Sequence, residues 1–337
     1  MPKKSTGVKK EKRMVWGVII IFGVFVFAFI VLKIATNDTS SVGHWRSSEG
    51  QQAYEQSYAE AMKLLPSPAR TLDISTSYGT VRVYEWVGDQ TSSADPMVLV
   101  PGYSSGVPMW ESNLPDLIAK HPVYAMDALG DSGMSIQTVA IKNASDQAAW
   151  LEEVLSELDL TRVHVVGHSF GGWWAANYAT YYPERVASLI LLEPVFVLQG
   201  IKFKIILQTI PASIPFLPKS WRDKSLQAIS GADASDMDLN NPIIRMISQG
   251  SEYFVRHIPM PTPFTHEQLQ RWKMPVYIAM AANSPLHDSE KAVEVAKANI
   301  MNVQVKNWSG ATHSLPMEFS KEIDTEILQF IEQNTVK

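Results

Sequence analysis

The chain has 337 residues, of which 46 % are hydrophobic, so it is long and apolar enough to bury a sizeable globular core. Its formal net charge is −5, and beyond the first 14 residues it is acidic without a basic cluster, which argues against nucleic-acid binding. Because the chain contains no cysteine, disulfides, thiolate metal sites and a cysteine nucleophile are excluded.

The N-terminal segment has the pattern of a membrane anchor. Residues 1–14 contain six basic residues and one acidic residue, and residues 15–32 then run for 18 positions without a charge. A helix of that length spans about 27 Å, close to the roughly 30 Å hydrocarbon core of a bilayer. Since the basic residues precede the apolar run, we expect a single-pass membrane protein with a cytoplasmic N-terminus and an extracytoplasmic body.

A cleaved signal peptide and a buried core helix are the other interpretations of residues 15–32. A signal peptide has a shorter apolar region, about 7–15 residues, followed by a small-x-small cleavage site. A core helix normally has a polar face, and this run has none. We therefore expect a basic cytoplasmic tail at 1–14, a transmembrane helix at 15–32 and a tether at 33–48.

Extended and helical patterns alternate through the rest of the chain. An amphipathic helix is predicted at 49–65, and further helices at 144–158 and 172–182. Several of the extended segments are near-continuous apolar runs, as in strands buried on both faces of a parallel sheet. These segments are 71–75, 80–86, 97–100, 123–127, 163–166, 188–192, 276–281 and 303–308. The alternation predicts an α/β fold with a mostly parallel central sheet of about eight strands and helices on both faces.

One stretch interrupts this alternation. Residues 195–272 contain no convincing strand and seven prolines, so we predict a helical cap inserted between two parts of the α/β core, 49–194 and 273–337. The apolar segments of the insertion suit either a pocket for acyl or aromatic groups or a core of the cap itself.

Ser169 is the candidate nucleophile. It lies in a Gly-x-Ser-x-Gly motif between a β-branched strand and a helix of small residues. A strand-to-helix turn this sharp needs glycine at 167 and 171, and it holds the serine at the positive end of the helix. The backbone N–H of Phe170 would then face a developing oxyanion. The other interpretation is a helix-capping serine in a tight turn.

This segment and other motifs in the same order resemble the α/β-hydrolase superfamily, serine-hydrolase branch, over about residues 45–335. Pro101-Gly102-Tyr103, after the third strand, is similar to the family's His-Gly-aromatic loop, which implies that the backbone N–H of Tyr103 is the second oxyanion donor. The loop from Asp127 to Ser135 resembles a structural loop of the family, with one residue more.

The resemblance also implies the base of a catalytic triad. Gly310-Ala-Thr-His313 follows a strand and is similar to the family's G-x-G-H loop, so His313 would take the proton from Ser169 and return it to the leaving group. A free surface histidine is the alternative interpretation.

The triad acid is the open position. The family usually supplies an aspartate after the seventh strand, where this chain has Ser284. Glu193 directly follows the sixth strand, a position from which some members supply the acid. Asp288 lies four residues beyond Ser284 but also has the features of a helix N-cap. We interpret Glu193 as the acid, with Asp288 or no acid as the alternatives.

The resemblance implies a serine hydrolase that cleaves an ester-type bond of an apolar or acyl substrate through a covalent acyl-enzyme, as carboxylesterases and lipases do. The missing aspartate leaves open a membrane-tethered binding or signalling module with little catalysis, and an acyltransferase is a further alternative. No metal-ligand spacing and no phosphate loop occurs in the sequence, so we expect neither a metal nor a cofactor. The expected partners are a small apolar or acyl substrate and the membrane.

Overall fold

The structure, a computed structural model, describes residues 39–87, 94–209, 218–231, 238 and 240–334. The described residues from 42 onwards belong to one compact unit. The predicted tail at 1–14, the predicted transmembrane helix at 15–32 and the first part of the predicted tether lie outside the described residues. Within the described ranges, no helix combines the length and the hydropathy needed to cross a membrane.

Eleven strands occur in the described part of the chain. In chain order they are β1 (His44–Trp45), β2 (Arg70–Thr76), β3 (Gly79–Trp86), β4 (Met97–Val100), β5 (Val123–Met126), β6 (Ile136–Gln137), β7 (Val163–His168), β8 (Val186–Leu192), β9 (Phe254–Val255), β10 (Val276–Ala281) and β11 (Val303–Trp308).

Nine of these strands form the central sheet: eight follow the order β11-β10-β8-β7-β4-β5-β3-β2, and the short β6 pairs with β3 off this path. Neighbouring strands from β11 to β5 are parallel, whereas β3 is antiparallel to β5, β2 and the short β6. Each of the eight predicted extended segments coincides with one strand of this path. The prediction of a mostly parallel sheet of about eight strands is therefore confirmed.

Helices cover both faces of the sheet. The helices of the described residues are α1 (Ser48–Met62), α2 (Leu114–Ile118), α3 (Ala144–Glu157), α4 (Phe170–Tyr181), α5 (Phe203–Thr209), α6 (Lys219–Ser230), α7 (Pro242–Tyr253), α8 (His266–Gln270), α9 (Ser289–Asn299), α10 (Leu315–Glu318) and α11 (Ser320–Asn334). Alternate residues of a strand belong to different hydrophobic clusters: Leu189 and Leu191 of β8 pack in one, Ile190 and Leu192 in the other. This period of two is what a sheet with two buried faces requires.

The predicted cap differs from expectation in one respect. Its sequence shows no convincing strand, but β9 lies within it and pairs antiparallel with β1, with His44 opposite Val255 and Trp45 opposite Phe254. The expectation is wrong at this point because a strand of two residues shows no periodicity and is defined by its partner. For the same reason β1 was not expected within the tether.

The apolar segments of the insertion have different environments. Val195, Val197 and Leu198 are buried in the first of the two hydrophobic clusters, so this segment belongs to the core of the α/β unit rather than to a core of the cap. On α5 and α6, in contrast, Phe203 and Trp221 are more than half exposed. The boundaries 195–272 of the cap stay a prediction.

Candidate active site

The turn that carries Ser169 joins β7 to α4. The backbone of Ser169 has φ +55° and ψ −119°, a conformation that residues other than glycine rarely adopt. Glycines make the turn possible: a Cβ on Gly167 would lie 2.2 Å from the carbonyl oxygen of Gly171, and a Cβ on Gly171 would lie 2.2 Å from that of Val100. The N–H of Ser169 also donates to the carbonyl of Leu192, at 3.0 Å, which ties the turn to the end of β8.

The loop with the predicted second oxyanion donor lies against this turn. A Cβ on Gly102 would be 3.2 Å from Cβ of Ser169. The rings of Tyr103 and Phe170 are stacked, with 3.8 Å between centroids and 17° between planes. The N–H of Phe170 is in the first turn of α4, where N–H groups have no acceptor within the helix. The structure thus places both predicted donor residues beside Ser169, and their role stays a prediction.

His313 lies in the loop between β11 and α10 and contacts the nucleophile directly. Its Nε2 is 2.8 Å from Oγ of Ser169, and its Nδ1 is 3.1 Å from Oε2 of Glu193. His168 helps to hold this loop, because its Nε2 lies 2.9 Å from the carbonyl oxygen of His313, which can only accept a hydrogen bond. Burial, reinforced by the nearby His313, lowers the pKa of His168 to about 3, so His168 is a neutral donor.

Glu193 follows β8 with a φ of +47° and is fully buried. Its backbone N–H donates to the carbonyl of Ala279, and its Oε1 accepts from the N–H of Ala281, both at 2.8 Å. Oε1 is also 3.0 Å from Nε2 of His287. Burial alone would raise the pKa of Glu193, but the hydrogen bonds from His287 and His313 outweigh it and hold the pKa well below its ordinary value. The carboxylate is therefore ionised and well supplied with donors.

Asp288, the other candidate acid, has a different environment. It is exposed and caps α9, accepting from the N–H of Lys291 at 3.2 Å. Its carbonyl accepts a hydrogen bond from Gln199. Of the two candidates, the structure brings Glu193 to His313 and uses Asp288 as a helix cap. The geometry favours Glu193, and its catalytic role stays a prediction.

The loop from Asp127 to Ser135 has the architecture that the resemblance implies. Oγ of Ser135 donates to the carbonyl of Asp127 at 2.6 Å, and the Asp127 side chain accepts from the N–H groups of Met134 and Val107 at 2.7 and 2.8 Å. These bonds hold the loop next to the segment that follows Tyr103.

Two residues of the site were missed by sequence reasoning. His287 has no motif around it, and its only signal is that it lies in the loop where the family carries its acid. Arg256, just after β9, lies 4.7 Å above the ring of Tyr103, and its Nε is 2.6 Å from Oδ1 of Asp131. The N–H of Ser104 donates to Oδ2 of Asp131 at 2.8 Å, and Arg256 also donates to Oγ of Ser104. Arg256 is a single basic residue in the insertion, and no sequence pattern around it indicates these contacts.

Two further features of the described residues concern ligands. The described residues include no group of three or more His, Cys, Asp or Glu side chains that could hold a metal ion. A surface groove of about 480 Å³ is lined by residues of α5 and α6, among them Trp221 and Lys224. None of the groove's lining residues belongs to the predicted active site.

The family described as alpha/beta hydrolase fold matches residues 95–237, which include Ser169 and Glu193. The solved structure of naproxen esterase (carboxylesterase NP) from Bacillus subtilis aligns with a TM-score of 0.76, covering 84 % of this chain and 99 % of that chain at 23 % identity. The chain has the α/β-hydrolase fold.

Two sequence relatives are named after ester and acyl chemistry. One is named uncharacterized carboxylesterase nap, from Bacillus subtilis (strain 168), and is 26 % identical over 315 residues, which cover 89 % of this chain and 98 % of the relative. A shorter match of 106 residues, 39 % identical, is to a 1-acylglycerol-3-phosphate O-acyltransferase of Sus scrofa, and it covers 31 % of this chain and 30 % of the relative.

Proposed function

We propose that this α/β-hydrolase is a serine carboxylesterase that cleaves an apolar or acyl ester through a covalent acyl-enzyme on Ser169. That the chain is an ester hydrolase is supported by its full-length relatives and structural neighbours, which are named carboxylesterases. One observation carries the proposed mechanism: an unbroken set of hydrogen bonds runs from Oγ of Ser169 through His313 to the buried carboxylate of Glu193.

This arrangement fixes the proton positions before the reaction. An ionised carboxylate only accepts hydrogen bonds, so Nδ1 of His313 carries the hydrogen that faces Glu193. Nε2 is then the unprotonated nitrogen, and it accepts from Oγ–H of Ser169 at 2.8 Å. This is the tautomer in which His313 can act as a base. The imidazolium formed when Ser169 loses its proton is stabilised by the ionised Glu193.

Acylation begins when Oγ of Ser169 attacks the ester carbonyl carbon and its proton moves to Nε2 of His313. The N–H groups of Tyr103 and Phe170 hold the negative oxygen of the tetrahedral intermediate. The carbonyl re-forms as the C–O bond to the leaving alcohol breaks, and His313 gives its proton to that alcohol. In deacylation, His313 takes a proton from water, the hydroxide attacks the acyl carbon, and Ser169 regains its proton as the acid departs.

Acyl transfer is the second candidate function. The match to an acyltransferase of Sus scrofa favours it, although that match covers only 31 % of this chain. The same acyl-enzyme would form, and an acceptor alcohol would replace water in the second half-reaction. Product analysis in the presence of glycerol or a lysophospholipid distinguishes the two, since a transferase forms the acylated acceptor in preference to the free acid.

Membrane attachment is part of the proposal. The uncharged residues 15–32, preceded by basic residues, support a single-pass anchor with the body of the protein outside the cytoplasm. Full-length protein should then sediment with membranes and resist extraction by salt, whereas a variant that starts at residue 39 should not sediment. Sedimentation of both forms alike would contradict this part of the proposal.

Hydrolysis of p-nitrophenyl butyrate by the purified full chain tests the proposed function. Wild type should turn over the ester, and Ser169→Ala or His313→Ala should each lower kcat by at least about 10³-fold, as in other serine hydrolase triads. Ser145→Ala is the matched control, because Ser145 is an exposed serine at the start of α3. Wild-type turnover by Ser169→Ala would contradict the proposal.

A further inference from the structure

We propose that His287 is a positioning residue of the triad, which donates a hydrogen bond to one oxygen of Glu193 and so directs the other oxygen to His313. This inference rests on the proposed function. His287 lies in the loop between β10 and α9, which also contains Ser284, the position where the family usually has its acid. In this chain the acid comes from the end of β8, and the neighbouring loop supplies a histidine that holds it.

The proton position on His287 follows from the geometry. Nε2 of His287 is 3.0 Å from Oε1 of Glu193, and both side chains are almost completely buried. Because an ionised carboxylate oxygen can only accept, Nε2 must carry a hydrogen. His287 is therefore a donor to the acid, on the side opposite to His313.

The two oxygens of Glu193 have unequal sets of donors. Oε1 accepts from the N–H of Ala281 and from His287, whereas Oε2 accepts from His313. Two donors on Oε1 fix the rotation of the carboxylate group, so that Oε2 points to Nδ1 of His313. The same two hydrogen bonds replace those that the carboxylate would make to water. A buried charge needs such partners.

Loss of His287 would leave Oε1 with a single donor. The carboxylate would then be less well oriented and less stable as an anion, and both changes weaken its support of the His313 imidazolium. Since His287 and Glu193 are buried, neither can touch the substrate. The change should therefore lower kcat and leave KM almost unaltered.

Steady-state hydrolysis of p-nitrophenyl butyrate by His287→Leu and His287→Gln tests this role. The leucine variant should lose about ten- to a hundredfold in kcat, the range for a hydrogen bond to a charged group. The glutamine variant should recover most of that loss, because its side-chain amide can donate to Oε1. His164→Leu is the matched control: His164 is also a buried histidine, with Nδ1 2.8 Å from Oγ of Ser188, and it has no contact with Glu193.

A double-mutant cycle with Glu193→Gln separates this role from a general structural one. If His287 acts through the carboxylate, His287→Leu should cost far less in the Glu193→Gln background than in wild type. Additive losses, or equal kcat for His287→Gln and His287→Leu, would overturn the proposal. If the leucine variant does not fold, as judged by its thermal unfolding, His287→Asn replaces it in the cycle. Failure of the proposed function is distinguishable, since it would appear as wild-type turnover independent of Ser169.

Discussion

Replacing Glu193 by glutamine should remove most of the activity while preserving the shape of the site. Glutamine offers one acceptor and one NH₂ group where glutamate has two acceptors. Oε1 receives two donors and Oε2 receives one, so the amide oxygen should occupy the Oε1 position. The NH₂ group then faces Nδ1 of His313, which must accept. The imidazole proton moves to Nε2, where it blocks the transfer from Ser169.

The size of the effect follows from this tautomer change. An amide in place of the acid lowers kcat by about 10⁴-fold in a serine protease triad, where the geometry is otherwise kept. At 1.36 kcal/mol for each tenfold change, that corresponds to about 5.4 kcal/mol of transition-state stabilisation. KM should change little, because Glu193 is fully buried and out of reach of a substrate.

Initial rates with p-nitrophenyl butyrate at saturating substrate measure this effect. Asp288→Asn is the control, since asparagine is as good an N-cap as aspartate and should keep kcat within about twofold of wild type. More than about a tenth of the wild-type kcat in Glu193→Gln would refute the assignment of the acid. A loss in Asp288→Asn as large as that in Glu193→Gln would refute it equally.

Three further predictions concern a buried carboxyl, the cation at Tyr103 and a glycine of the Ser169 turn. Burial raises the pKa of Asp324 to about 8, so this carboxyl destabilises the folded state increasingly as the pH rises from about 4 to 8. Asp324→Asn should therefore raise Tm by several degrees at pH 9 and hardly at pH 4, and equal shifts in calorimetry would contradict this. Arg256→Gln removes the cation 4.7 Å above the Tyr103 ring and should lower kcat/KM by about tenfold. Unchanged ester turnover in this variant would show that the contact between Arg256 and Tyr103 is not needed for activity. Gly171→Ala places a Cβ 2.2 Å from a backbone carbonyl of β4 and should abolish turnover and lower Tm, whereas a Cβ at Gly200 meets no atom within 4 Å, so Gly200→Ala is the control. Normal turnover in Gly171→Ala would contradict the close approach.

The centre of the sheet could be predicted because β4, β5, β7, β8 and β10 are buried along their whole length. All seven residues of β8, for example, are buried, and such runs differ clearly from amphipathic helices. The turn at Ser169 could also be predicted, since Gly167 and Gly171 lie on either side of the serine at the point where a strand changes into a helix. Patterns of this kind involve only neighbouring residues and can therefore be recognised in the sequence.

The choice between Glu193 and Asp288 could not be made in the same way. β8 and β10 are parallel neighbours, with Ile190 opposite Tyr277, so the loops that follow both strands leave the sheet at the same edge. Either loop could bring a carboxylate to His313. Only the three-dimensional structure shows which carboxylate is buried beside Nδ1 and which caps a helix.

His287 and Arg256 could not be predicted because their roles depend on partners distant in the sequence. His287 contacts Glu193, which lies 94 residues earlier in the sequence, and Arg256 contacts Asp131, which lies 125 residues earlier. Neither contact leaves a repeat, a spacing or a change of composition near the residue. The strand β9 could not be predicted for the same reason, since its partner β1 lies about 210 residues earlier in the sequence.

Mass spectrometry after reaction with a fluorophosphonate tests whether Ser169 forms the covalent intermediate. Wild type should gain one adduct, located by peptide mapping on the segment that carries Ser169, and prior incubation with an ester substrate should slow the labelling. Ser169→Ala should gain none. An adduct on another residue, or wild-type protein that turns over esters but gains no adduct, would contradict the account.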